Sequence, residues 1–148
     1  MKIEYYNLYT HLIIITKDRS PLIKEENRVR IEKYMTGIIG NHDSRLYAIY
    51  ANPEHVHMLI SRSPQISENQ LMCRIAESTK GFIIQNELAH FNFAWQESAS
   101  AFSVSKTDID KVCRYILNQK AHHQKFSFHE EYETLIKHYQ KTLRWESV

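Results

Sequence analysis

Residues 45–61 read RLYAIYANPEHVHMLIS, and how this stretch divides decides the fold. Residues 45–51 alternate in part and are rich in Tyr and Ile, Asn52-Pro53-Glu54 is turn chemistry, and residues 55–61 form a second extended run. Two antiparallel strands joined by a tight connection fit this pattern. Upstream, residues 8–16 (LYTHLIIIT) are apolar and β-branched enough for a strand buried on both faces, ended by Lys17-Asp18-Arg19-Ser20-Pro21. Between them, residues 24–39 set Val29, Ile31, Tyr34, Met35, Ile38 and Ile39 at spacings compatible with a helix, closed by Gly40-Asn41. Downstream, Ser67-x-x-Gln70 has the form of a capping box. It opens a helix running to about Leu88, with Leu71, Ile75, Phe82 and Ile83 toward the core and Lys80-Gly81 as its weak point. Phe102-Ser103-Val104 is a short strand, Thr107-x-x-Asp110 starts a helix over residues 108–123, and a last helix covers 129–140. The order β-α-β-β-α-β-α-α contains the split βαβ pattern of an α+β, ferredoxin-like antiparallel sheet with helices packed on one face.

The chain has 148 residues with 43% hydrophobic and 24% charged positions, which predicts one globular domain over 1–148 and excludes a disordered or fibrous protein. A domain of this size buries about two-thirds of its unfolded surface, so it needs no metal staple, and any metal is functional. The net charge of +2 does not announce a polyanion partner; if nucleic acid binds, the basic groups are gathered on one face. Cys73 and Cys113 lack CxxC spacing and read as free, buried thiols of a reducing compartment. The amino terminus lacks a signal peptide's apolar region, and the longest purely apolar run, residues 12–15, is far short of a membrane span. The expectation is a cytoplasmic protein without a membrane partner. No GxxxxGK[ST] loop points to a nucleotide cofactor.

Chemistry centres on two places. On a strand, His55 and His57 share one face while Val56, Met58 and Ile60 point to the other. Their backbones stand about 6.6 Å apart, near enough for two imidazoles to reach one divalent cation. The competing arrangement packs one His under the sheet and leaves the other in solvent. On the penultimate helix, Tyr115 and Gln119 form an i, i+4 pair at the border of an apolar arc of Ile109, Val112, Cys113 and Ile116. They either face a site against the sheet, a phenol beside an amide oxygen, or sit at the core edge and in water.

Taken in order, the pieces resemble the single-tyrosine transposases of the IS200/IS605 type, in the HUH endonuclease superfamily. The resemblance covers most of the chain. It rests on Thr16-Lys17 and Arg19, Glu54-His55-Val56-His57-Met58-Leu59, Lys80-Gly81, Trp95-Gln96, Ala101-Phe102-Ser103-Val104-Ser105 and Tyr115-Ile116-x-Asn118-Gln119. His122-His123 and Ser127-Phe128-x-x-Glu131-Tyr132 resemble the family's tail. Two departures stand out: Ser98-Ala99-Ser100 replaces Gly-containing sequence, and Glu54 stands where Asp or Asn is common.

The resemblance implies a transposase that cleaves and rejoins single-stranded DNA at hairpins. Tyr115 is the implied nucleophile, leaving a 5′-phosphotyrosine, and His55, His57 and Gln119 are the implied ligands of Mg²⁺ or Mn²⁺. It also implies a homodimer whose sheets join edge to edge, with active sites shared between subunits. Lys17, Arg19, Arg62, Arg74, Lys80 and Lys106, chosen for their nearness to these motifs, are the candidate phosphate contacts. Phe91, Phe93 and Trp95 are either stacking platforms for bases or, more in keeping with their clustering before a strand, core. Two other readings remain: a domesticated relative that processes repeated hairpins, and a ferredoxin-like nucleic-acid-binding module without catalysis.

Overall fold

The run at residues 8–16 forms strand β1 (Tyr9–Ile15), whose residues from Thr10 onward are all buried. Its position explains this. The sheet order is β2-β3-β1-β4, with β2 Arg45–Ala51, β3 His55–Ser61 and β4 Ser100–Ser103, so β1 is an inner strand with a neighbouring strand on either edge. Every pairing is antiparallel, the ferredoxin-like arrangement expected. The computed structural model describes residues 1–90 and 92–140. The chain folds as two compact units, Met1–Leu117 and Asn118–Val148.

In the first unit, α1 (Arg28–Asn41) and α2 (Glu68–Gln85) pack on one sheet face, where Leu12, Ile14, Val56, Met58 and Ile60 meet Ile31, Met35, Leu71 and Ile75. The opposite face, carrying the odd-numbered residues of β1 and β3, receives α3 (Ile109–Leu117), which lies over β2 and β3. The partial alternation of β2 has a structural cause. The register slips between Leu46 and Ala48, a bulge at Tyr47, so Leu46 and Ile49, three apart, both serve the helical face.

The capping box at α2 is complete: Gln70 N donates to Ser67 Oγ and Ser67 N to Gln70 Oε1, each at 3.1 Å. Helix α1 departs from expectation at both ends. Glu25–Asn27 is a separate 3₁₀ turn, Val29 faces solvent, and the helix runs through Gly40-Asn41. It closes at Asp43, φ 52°, where Ser44 N donates to Ile39 O at 3.2 Å and Asp43 N to Gly40 O at 3.1 Å, a Schellman pattern. Helix α2 closes alike at Glu87, φ 53°, with Leu88 N donating to Ile83 O at 3.0 Å.

The expected single helix over 108–123 is interrupted. Ser105, not Thr107, caps a 3₁₀ turn (Lys106–Asp108) before α3, and Asn118 (φ −96°, ψ 17°) separates α3 from α4 (Gln119–His123). Asparagine is among the weaker helix formers, and the last buried apolar residue of α3 is Ile116. The second unit, described by itself, holds α4 and α5 (Phe128–Gln140), with Ser127 Oγ accepting from Glu130 N at 3.2 Å. Both cysteines are free, but Cys73 is exposed and Cys113 half-buried, so the expectation of buried thiols fails. Among the described residues no helix is long and apolar enough to cross a membrane.

Two opposite exchanges in and after α2 are expected to stabilise the protein. Glu87→Gly relieves a left-handed conformation that costs an L-residue about 1 kcal/mol or more. Gly81→Ala, where an added Cβ meets nothing within 4 Å, removes a helix-interior glycine worth about 0.5–1 kcal/mol. Urea unfolding checks both, each raising the midpoint without changing the slope.

Candidate active site

The strand period puts both imidazoles of β3 on the face away from α1 and α2. His55 and His57 are 0% and 1% exposed, which rules out the arrangement with one of them in solvent. Their ring centroids lie 4.9 Å apart. Register adds a third imidazole that sequence reasoning missed. His11 pairs with Leu59 and so lies diagonal to His57, and its Nε2 is 2.9 Å from His57 Nδ1. In the sequence His11 is only a polar interruption of an apolar strand; the register that carries it to His57 is not written there.

Helix α3 brings Tyr115 to the same place. The fully buried Ile116 anchors the helix, while half-buried Tyr115 sets its ring 5.7 Å from that of His57, at 89°, and 6.3 Å from that of His11. On the same helix, burial first, and the Asp110 charge second, raise the Cys113 thiol pKa above the ordinary value, which lowers its thiolate fraction.

His55 is gripped from both sides. Glu54 Oε1 lies 2.8 Å from its Nδ1 and Asn52 Nδ2 lies 3.2 Å from its Nε2. A carboxylate at Nδ1 is the partner that metal-binding histidines use to keep the lone pair on Nε2; at His55 that lone pair faces Asn52 Nδ2, whose place a cation would take, and with that exchange two buried imidazoles each held at Nδ1 fit a divalent cation. The Glu at position 54 thus reaches His55 directly. Thr16 holds the segment in turn: its backbone N donates to Glu54 O at 2.9 Å, and its hydroxyl lies 3.0 Å from Glu54 O and 2.6 Å from Ser20 O.

In the second unit, Gln119 is buried with Oε1 3.1 Å from His123 Nε2, and Glu131 Oε2 lies 2.7 Å from that same nitrogen. His123 and Glu131 belong to the tail whose sequence carried no assigned role. Tyr115 belongs to α3 and Gln119 opens α4.

The family described as IS200-like transposases matches residues 4–119. The chain belongs to this family. Solved structures agree at the level of the fold. A protein from Deinococcus radiodurans R1 assigned to the transposases has a TM-score of 0.62 and 22% identity, covering 80% of this chain and 98% of that one. A REP-associated tyrosine transposase bound to a REP hairpin has a TM-score of 0.57 and 14% identity, covering 83% of this chain and 74% of that one. No curated protein matches the sequence significantly.

Within this IS200-like chain the six candidate phosphate contacts are dispersed. Exposed Lys17 and Arg19 leave the end of β1 beside Glu54, at the histidine end of the sheet. Arg62 and Lys106 lie toward the other end, where Arg62 N donates to Leu8 O and Val104 N to Tyr9 O, each at 2.9 Å. The Arg62 guanidinium is committed to Glu68 Oε1 at 3.0 Å and to the carbonyls of Ser63 and Ile66. Arg74 and Lys80 are exposed on α2, the helix of the other sheet face. Phe93 is buried, its ring 4.7 Å from that of Trp95, which packs against the core, so these two serve packing. Phe91 lies outside the described residues.

Thr16→Val keeps the shape of the Thr16 side chain and removes its buried hydroxyl. It is expected to cost about 1 kcal/mol in urea unfolding, because Ser20 O loses the hydroxyl as a donor while keeping Leu22 N at 2.8 Å.

Proposed function

We propose that this transposase is a metal-dependent single-strand DNA endonuclease and strand transferase, acting at hairpin-marked ends through a 5′-phosphotyrosine. The observation that carries the reading is the Tyr115 ring standing across His57 at 5.7 Å, so that one phenol and a braced imidazole pair address the same space. Family membership supports the transposase activity, and the REP hairpin bound by the structural neighbour supports hairpin DNA as the partner.

In the cleavage step Tyr115 Oη forms a bond to phosphorus as the bond from phosphorus to the 3′ oxygen breaks. The departing strand leaves with a 3′-OH, taking up one proton as the phenol gives up another. Tyrosine has an ordinary pKa of about 10, so that phenolic proton must leave as attack proceeds. One phosphodiester replaces another, so a later 3′-OH can attack the phosphotyrosine and return Tyr115 to its phenol without a nucleoside triphosphate. His55 and His57, with Gln119 as third protein ligand, would hold Mg²⁺ or Mn²⁺. When bound, such an ion polarises a nonbridging phosphate oxygen. Lys17 and Arg19, at the histidine end, are the basic residues best placed to hold the strand. β2 and β4 are the outer strands of the sheet, and pairing along such an edge is the route to a homodimer with a joined sheet and shared active sites. The two free thiols suit a cytoplasmic setting.

The test is a denaturing gel with single-stranded DNA carrying the hairpins that flank the gene, in Mn²⁺. Wild type should give a covalent adduct. Tyr115→Phe should lower it by roughly a thousandfold or more while DNA binding persists, and His57→Ala should make it undetectable. Binding without any adduct would favour the non-catalytic binding module, and an adduct retained by Tyr115→Phe would exclude this nucleophile.

A further inference from the structure

The reaction above leaves one imidazole of the site without a role. His11 is fully buried at the centre of the sheet, and its Nε2 lies 2.9 Å from His57 Nδ1. A single proton occupies that contact, and where it sits decides what His57 can do. With the proton on His11 Nε2, His57 accepts at Nδ1, carries its own proton on Nε2 and has no lone pair there for a cation. With the proton on His57 Nδ1, His11 accepts and His57 Nε2 carries the lone pair.

The neighbouring ring indicates which arrangement the site uses. His55 Nδ1 faces the Glu54 carboxylate at 2.8 Å, and an ionised carboxylate only accepts, so the proton of that ring sits on Nδ1. His55 and His57 share a strand face and are both braced at Nδ1, one by Glu54 and the other by His11. Because His57 Nδ1 is engaged by His11, a cation at this ring meets Nε2, which carries a lone pair only when the proton sits on Nδ1.

We propose that His11 is a positioning residue that accepts the Nδ1 proton of His57, fixing the tautomer in which His57 Nε2 is the ligand nitrogen for the divalent cation. This rests on reading the histidine pair as cation ligands. Neutral His11 then carries its own proton on Nδ1. An amide oxygen can replace it, whereas an aromatic hydrocarbon of similar size cannot.

Two measurements test this. Long-range ¹H–¹⁵N correlation spectra of the metal-free wild type should show His57 protonated at Nδ1. Calorimetry with Mn²⁺ should show roughly 10- to 100-fold weaker binding by His11→Phe and only a few-fold change by His11→Gln. His57 protonated at Nε2 in a wild type that still binds Mn²⁺ would overturn the assignment of His11 and leave the cation site standing. Wild-type protein that binds no Mn²⁺ would overturn the cation reading of the pair and this role with it. Wild-type affinity in His11→Phe, or equal losses in both variants, would reduce His11 to packing. Should His11→Phe fail to fold, the wild-type spectrum and His11→Gln decide the matter.

Discussion

The antiparallel register of β1 on β3 is the constraint on which the site depends. It sets Ile15 opposite His55 and Ile13 opposite His57, which places His11 one diagonal from His57 and brings Thr16 onto Glu54. A slip of one residue would turn His11 toward the helices α1 and α2 and put Leu12 against the imidazoles. What prevents the slip is the apolar set on the other side. Leu12, Ile14, Val56, Met58 and Ile60 share one core with both helices, and a shift of either strand would turn all of its members out of that core at once. The chemistry on one face is thus held in register by packing on the other.

That packing also offsets a cost. His11, His55, His57 and Thr16 are polar groups within the sheet, all nearly or wholly buried. Burying such a group without a partner costs on the order of 1–3 kcal/mol in proteins. Here the contacts run as a chain from one group to the next: His11 to His57, Glu54 and Asn52 to His55, Thr16 to the Glu54 carbonyl. Each partner that satisfies a ring also fixes its orientation. Satisfaction of polarity and preparation for ligand binding are therefore one physical requirement in this part of the protein.

Much of this was legible from periodicity. The three long strands, the capping box at Ser67 and the alternation that puts two imidazoles on one face follow from local pattern, because each depends on neighbours a few residues away. What was not legible depends on the fold. The partial alternation of β2 became intelligible only once the bulge at Tyr47 was seen, since a bulge is a property of two paired strands. His11 is hidden for the same reason, 46 residues from its partner. Phosphate candidates chosen by closeness to motifs were scattered over both faces and both ends of the sheet, and Arg62 proved bound to its own loop, because nearness along the chain says little about facing. The interruption at Asn118 is subtler, since only a weak helix former marks it.

The turn after β1 joins the register to the proposed DNA contacts. Asp18 and Arg19 occupy the left-handed region at φ 57° and 53° without being glycine. Consecutive non-glycine residues in that conformation persist only where the surroundings over-determine it. Here four backbone hydrogen bonds do so within the five residues 16–20: Lys17 N to Ala94 O, Arg19 N to Thr16 O, Ser20 N to Lys17 O and Thr16 N to Glu54 O. The last of these ties the turn to the residue that braces His55. The direction in which Lys17 and Arg19 leave the surface is therefore fixed by the same Thr16 that holds the imidazole segment, and a strand held by those two cations would be positioned relative to His55 by backbone hydrogen bonds rather than by side-chain reach.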